Sequence, residues 1–306
     1  IIFEWMDEWA KKTWTTEPYM IPYDRHILWH NVIDPEQNYG LLAYEAVKPA
    51  RAAVVAQGEH AIRSVELRID ASFLHLDITL ETPVDFTKGR LLIGLDTVSR
   101  DQGELLYDAR LGVQAPSGME YLIVLDGTES SRLLAIPPSD GTNYAFSTYD
   151  TLVSTGDFRV MRKLTNKARA LADGTPIPAI HEESSRLLHG EQTGSTNHWE
   201  VNGKSLTVRI PWTRINVSDP SSGTVLYDKE IRHTDPARDV IGTIQTDGIA
   251  VSGILVQHKT DRILGQFGTR EALLLPWTTW NQPTYREREK ASYDILRDYL
   301  EGQRER

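Results

Sequence analysis

Residues 64–81, "SVELRIDASFLHLDITLE", decide the fold class. Val65, Leu67 and Ile69 alternate with Glu66 and Arg68. Asp70, Ala71 and Ser72 then break the pattern with turn-forming residues. Beyond them Leu74, Leu76, Ile78 and Leu80 alternate with His75, Asp77 and Thr79. Side chains along a strand point to opposite faces in turn, so this pattern predicts a hairpin with one buried face. A one-residue slip would bury His75 and Asp77, which specifies the register strongly.

The same texture continues outward as "GRLLIGLD", "MEYLIVLDG", "SRLLAI", "SLTVRIPW" and "GIAVSGILVQH". Many short apolar runs punctuated by Gly, Pro and Asp predict a mainly β chain built as an antiparallel β-sandwich. Its expected span is residues 46–270, and the segment 163–198 reads as a long, irregular excursion between strands. Residues 1–45 differ, holding Trp5, Trp9, Trp14 and Trp29, half of the eight Trp. Residues 271–306 carry a Pro276-Trp277 loop and then a stretch that predicts a helix from about residue 284 to 300. Thr284 with Glu287 fits a capping box, and Tyr285, Ser292, Leu296 and Tyr299 fall on one stripe. That stripe is expected to pack back on the N-terminal segment, with Trp277 and Trp280 as anchors.

Hydrophobic residues at 40% and charged residues at 25% exclude a disordered chain. A net charge of −10 argues against nucleic acid and anionic membrane surfaces as partners. No apolar run approaches the roughly 20 residues of a membrane span. Cysteine is absent, which removes disulfides and thiolate metal ligands. Nucleophile elbows, P-loops and dinucleotide fingerprints are absent too, and no cofactor is expected.

The chain opens "IIFEWMDEW", an apolar run meeting carboxylates and indoles. This fits a buried strand ending in a polar rim, as at the C-terminal rim of a (β/α)₈ barrel. It resembles the last barrel strand of glycoside hydrolases of the family 2 type, in which an F-E-W-x-D-E-W rim precedes an E-x-x-Y/F-G-L element. Here that element reads Glu36-Gln37-Asn38-Tyr39-Gly40-Leu41. The resemblance implies that residues 1–45 are the end of a barrel whose upstream strands belong to the same polypeptide. It also implies that the catalytic pair lies upstream of Ile1 and that a carbohydrate is the ligand. "LLIGLDTVSRDQGE", "SLTVRIPWTRINVSDPSS" and "DGIAVSGILVQ" are similar in texture to family 9 carbohydrate-binding and DOMON-like sandwich modules. The resulting expectation is a C-terminal accessory region of a glycoside-hydrolase-like enzyme, secreted or on a cell surface, inactive by itself. The alternatives are a free-standing sandwich with a docking arm, and a complete enzyme using Glu4, Asp7 and Glu8.

Candidate residues follow. Glu4 is the rim acid expected to touch substrate, with Trp5, Asp7, Glu8, Trp9, Trp29 and His30 as sugar contacts. His26 and His30 are four apart, but Pro22 and Pro35 suggest a loop, and no metal site is expected. Asp96, Asp101 and Glu104 have calcium-type oxygens, but their spacing does not match an EF-hand loop, and a solvated turn is expected. Trp199 and Trp212 are either a sugar-stacking platform or sandwich core, with core preferred.

Overall fold

The computed structural model describes residues 42–47, 53–137, 148–193, 196–227, 242–281, 284–289 and 291–304. Among the described residues the class is mainly β, with 51% in strands and 5% in helix. Two compact units divide it: residues 1–50 with 279–306, and residues 51–278.

The larger unit is built on two antiparallel sheets. The smaller sheet runs, edge to edge, through strands Trp199–Asn202, Ser205–Pro211, Phe73–Leu80, Ile62–Ile69 and Ala53–Gln57. The larger runs through Arg159–Val160, Arg132–Ala135, Tyr121–Leu125, Gly89–Asp96, Ile249–Gln257, Ile263–Phe267 and Glu59–His60. Leu273–Leu275 adds to it beside Ile249–Gln257. The 64–81 hairpin forms in the expected register, with Leu67 opposite Leu76 and Glu66 opposite Asp77. Leu74, Leu76, Ile78 and Leu80 are buried, whereas His75, Asp77 and Thr79 are half-buried on the other face.

The two sheets differ in patterning for a physical reason. In the smaller sheet one face meets the larger sheet and the other faces outward, so its strands alternate. In the larger sheet both faces are covered, and Ile249–Gln257 is buried along almost its whole length. Leu92, Leu122, Ile254 and Val256 pack under the hairpin of Gly103–Leu106 and Gln114–Met119, against Tyr107, Ala115 and Met119. Tyr107 reaches Ser252 through its hydroxyl at 2.6 Å. A strand buried on both faces reads as one continuous apolar run.

The 163–198 segment is more regular than expected. Arg162–Asn166 pairs with Ile180–Glu183 and Arg169–Ala170 with Pro176–Ile177, giving an exposed two-stranded ribbon. Arg214 closes its base by donating to the carbonyls of Ser184 and Arg186, the latter at 2.9 Å. Its guanidinium also lies 2.9 Å from His198 Nε2. Burial, then the Arg214 and Arg209 charges, push His198 down to about 4.

The tail corrects the expected helix. Thr284–Glu289 is a strand, paired antiparallel with Leu42–Val47, and the helix spans only Ala291–Arg304. The local capping signal at Thr284 and Glu287 lost to six residue pairs of sheet register, a tertiary choice that local sequence does not record. Among the described residues no helix is long and apolar enough to cross a membrane.

Candidate functional site

The outward face of the smaller sheet carries a registered array of polar side chains. The alternation that buries Leu67, Leu76 and Val208 forces their neighbours outward in rows. One row sets Arg209 opposite His75 and His75 opposite Arg68. The next sets Thr207 opposite Asp77 and Asp77 opposite Glu66. A third sets Ser205 opposite Thr79 and Thr79 opposite Ser64. Directly opposed residues are about 5 Å apart, so each row sets its side chains side by side.

Arg68 donates to Asp77 Oδ2 through Nε at 3.1 Å and again through Nη2, and Glu66 Oε1 lies 3.4 Å from the same Nε. The Asp77 hydrogen bond raises the pKa of Arg68. Arg68 and Glu66 remain 42% exposed and Asp77 31%, so each keeps hydrogen-bonding capacity toward solvent. At the end of the hairpin, Asp70 Oδ1 accepts from the Ser72 and Phe73 amides at 2.7 and 2.8 Å, while Oδ2 lies 2.7 Å from His75 Nε2. Burial pushes the Asp70 carboxyl up, but His75 and the two amides outweigh it and hold its pKa below the ordinary value. The Phe73 ring lies beside His75, with centroids 5.8 Å apart, and under the Arg209 guanidinium at 4.9 Å. Arg209 is itself fixed by donating to Asn197 O at 2.9 Å. The face therefore offers fixed carboxylates, guanidinium groups and hydroxyls next to one aromatic ring. Such groups can pair with the hydroxyls of a bound molecule.

Elsewhere a cavity of about 270 Å³ has Leu80, Pro83, Val84, Leu255 and Leu264 in its lining, with Thr82, Asp85 and Lys88 beside them. Asp85 and Lys88 pair at 2.8 Å.

The residues singled out from the sequence fare differently. Glu4, Trp5, Asp7, Glu8, Trp9, His26, Trp29 and His30 lie outside the described residues. Trp199 is buried core, against Phe86 and His189 at 5.3 and 4.4 Å between centroids. Trp212 is also buried and donates to Asp70 O at 2.9 Å, so neither indole is an open platform. Trp277 packs on Trp212 at 5.9 Å and donates to Pro220 O at 2.8 Å. It belongs to the unit of residues 51–278. Asn216 is buried and donates to Leu226 O at 3.1 Å.

The 96–104 segment is not a solvated turn, because Asp96 and Glu104 are fully buried. The three acids also part company. Glu104 accepts from the Leu106 amide at 2.9 Å and the Thr155 amide at 3.0 Å, Asp101 takes the Ser99 hydroxyl, and Asp96 pairs with Arg100 at 3.0 Å. Among the described residues no three His, Asp or Glu are grouped to hold a metal ion. Sequence reasoning passed over Glu120, which is 1% exposed and lies at the heart of this region. The signal was present, since Glu120 is the one acid inside the apolar run 119–125.

Comparison with protein-family models, with curated proteins and with solved structures finds no match to this chain.

Proposed function

We propose that the sandwich is a non-catalytic carbohydrate-binding module of a glycoside-hydrolase-like enzyme, and that the outward face of its smaller sheet is the binding surface. The observation that carries the reading is the registered array of Glu66, Arg68, His75 and Asp77 beside Phe73 and Arg209. Saccharides present rows of hydroxyls and weakly apolar ring faces, and this face answers both with charged hydrogen-bonding groups and an aromatic edge. The face pairs most of its charge internally, which suits a neutral glycan over a polyanion. The F-E-W-x-D-E-W resemblance at residues 3–9 supports the enzymatic context, with Glu4 as a rim acid and catalysis residing outside the sandwich.

The test uses the whole 306-residue chain in affinity electrophoresis against neutral soluble polysaccharides. The Arg68→Ala/Asp77→Ala pair removes both partners of one ion pair and leaves Glu66, which is 42% exposed, to be solvated by water. It should weaken binding about 10-fold or more, since two charge-assisted hydrogen bonds are lost at roughly 1.5–3 kcal/mol each. Melting should change little, because a half-exposed pair contributes at most about 1 kcal/mol. Equal retardation of variant and parent would remove this face from consideration. Failure to retard in any neutral polysaccharide would favour a structural sandwich. The chain is also expected to leave aryl glycosides intact, and turnover that Glu4→Gln abolishes would establish a self-contained enzyme instead.

A further inference from the structure

We propose that Asp96 and Glu120 hold a single proton between them and, with Arg100, clasp the loop of residues 97–103 onto the end of the larger sheet, releasing it when that proton leaves. Three strands meet there. Asp96 ends Gly89–Asp96, Glu120 directly precedes Tyr121–Leu125, and Asp247 lies just before Ile249–Gln257. Asp96 and Glu120 are 0% and 1% exposed. The loop is tied to both. The Thr97 amide and hydroxyl donate to Glu120 Oε2 at 2.7 and 3.2 Å. Arg100 Nε lies 3.0 Å from Asp96 Oδ2, and its Nη2 reaches Asp247 Oδ1 at 3.2 Å and Gly248 O at 3.3 Å. Glu120 Oε1 has no hydrogen-bond partner among the described residues, and a Cβ on Gly103 would sit 3.0 Å from it.

The charge count makes the argument. Among the described residues the ionisable groups facing this pair are Arg100 from the loop and Asp247 from the turn before the neighbouring strand, joined by the hydroxyls of Thr97 and Ser117. Asp247 is 67% exposed and stays solvated. One guanidinium therefore serves two sealed carboxylates, and sealing a second negative charge without a partner is strongly unfavourable. One of the two must carry a proton in the folded state.

The titration directions agree. Burial, then the charge of Asp96, push Glu120 well above the ordinary carboxylate range, against the Thr97 hydrogen bonds and Arg100. Burial pushes Asp96 up to about 7, with Arg100 and Ser117 opposing. A carboxyl whose pKa rises on folding binds its proton more tightly in the folded state. Its stabilising effect is complete below the unfolded value near 4 and is lost as pH rises through the folded value. The clasp is thus closed in acid and loosens as pH rises through the raised values of the pair.

Thermal unfolding of the full chain between about pH 5 and about pH 8 tests this, with Glu120→Gln and Asp96→Asn compared with the parent. Glu120→Gln keeps the oxygen that accepts from Thr97 and cannot ionise. The parent should lose about 5 °C or more relative to Glu120→Gln across this window, with the gap opening as pH rises. Parallel curves for both variants and the parent overturn the proposal. Should Glu120→Gln fail to fold, infrared spectra of the parent decide. A protonated carboxyl band near neutral pH that Asp96→Asn shifts or removes supports the clasp, and its absence from the parent overturns it.

Discussion

Gly118→Ala should unfold this end of the sandwich, lowering stability by about 3 kcal/mol or more. Gly118 lies in strand Gln114–Met119, where the backbone of the 97–103 loop passes close by. A Cβ there would fall 1.6 Å from Gln102 O, 2.3 Å from its carbon and 2.8 Å from Gly103 N. These are backbone atoms and cannot rotate away. The loop cannot retreat either, because Gly118 N donates to Arg100 O at 3.3 Å and Thr97 is held by Glu120. Extra volume in a well-packed site ordinarily costs about 1–3 kcal/mol, and a backbone clash belongs at or beyond the upper end. At about 2–4 °C per kcal/mol for a unit of this size, the melting temperature should drop by roughly 10 °C. Gly302→Ala is the contrast. It lies in Ala291–Arg304 with nothing within 4 Å of its Cβ, and should stabilise that helix by up to about 1 kcal/mol. Calorimetry of the two variants checks both signs, and a Gly118→Ala chain that melts with the parent would disprove the close approach.

Trp199→Ala is expected to cost about 3–5 kcal/mol, the range for truncating a large buried aromatic. Trp199 is 1% exposed, meets Phe86 edge-on at 78°, packs on His189, and donates to Leu187 O at 3.3 Å. Truncation leaves a cavity beside Phe86 and His189, and orphans that carbonyl. Denaturant titration should show the loss at any ligand concentration, and saccharide binding should fall only as far as the folded fraction does. Trp199→Phe, which keeps most of the volume, should recover much of the loss. A Trp199→Ala chain that melts like the parent but no longer binds saccharide would return this indole to the role of sugar platform.

The candidate face was partly legible from sequence. His75, Asp77 and Thr79 were assigned to the outward side of their strand, and that is where they lie. Their partners were not legible. Arg209 reaches Phe73 from a strand more than 130 positions away in the chain, and nothing in "SLTVRIPW" names the strand it will pair with. Trp199 and Trp212 were rightly weighted toward core, because a large ring flanked by apolar strand residues gains most from burial.

What the sequence determined by itself was periodicity. Two-residue alternation from Val65 to Leu80 has one low-energy arrangement, in which the leucines face inward, and no distant segment can reverse it without burying Asp77. Tertiary structure decided everything that depends on long-range pairing or on the fate of single charges. Residues 284–289 had a plausible helix start, yet they form a strand because Leu42–Val47 supplies hydrogen bonds along its length. Asp96 and Glu104 looked like turn acids, yet both are buried, because the fold brings partners to each of them, Arg100 to Asp96 and the Leu106 and Thr155 amides to Glu104. Local propensity differs between conformations by tenths of a kcal/mol per residue, whereas burial and sheet pairing act over whole strands and prevail where the two disagree.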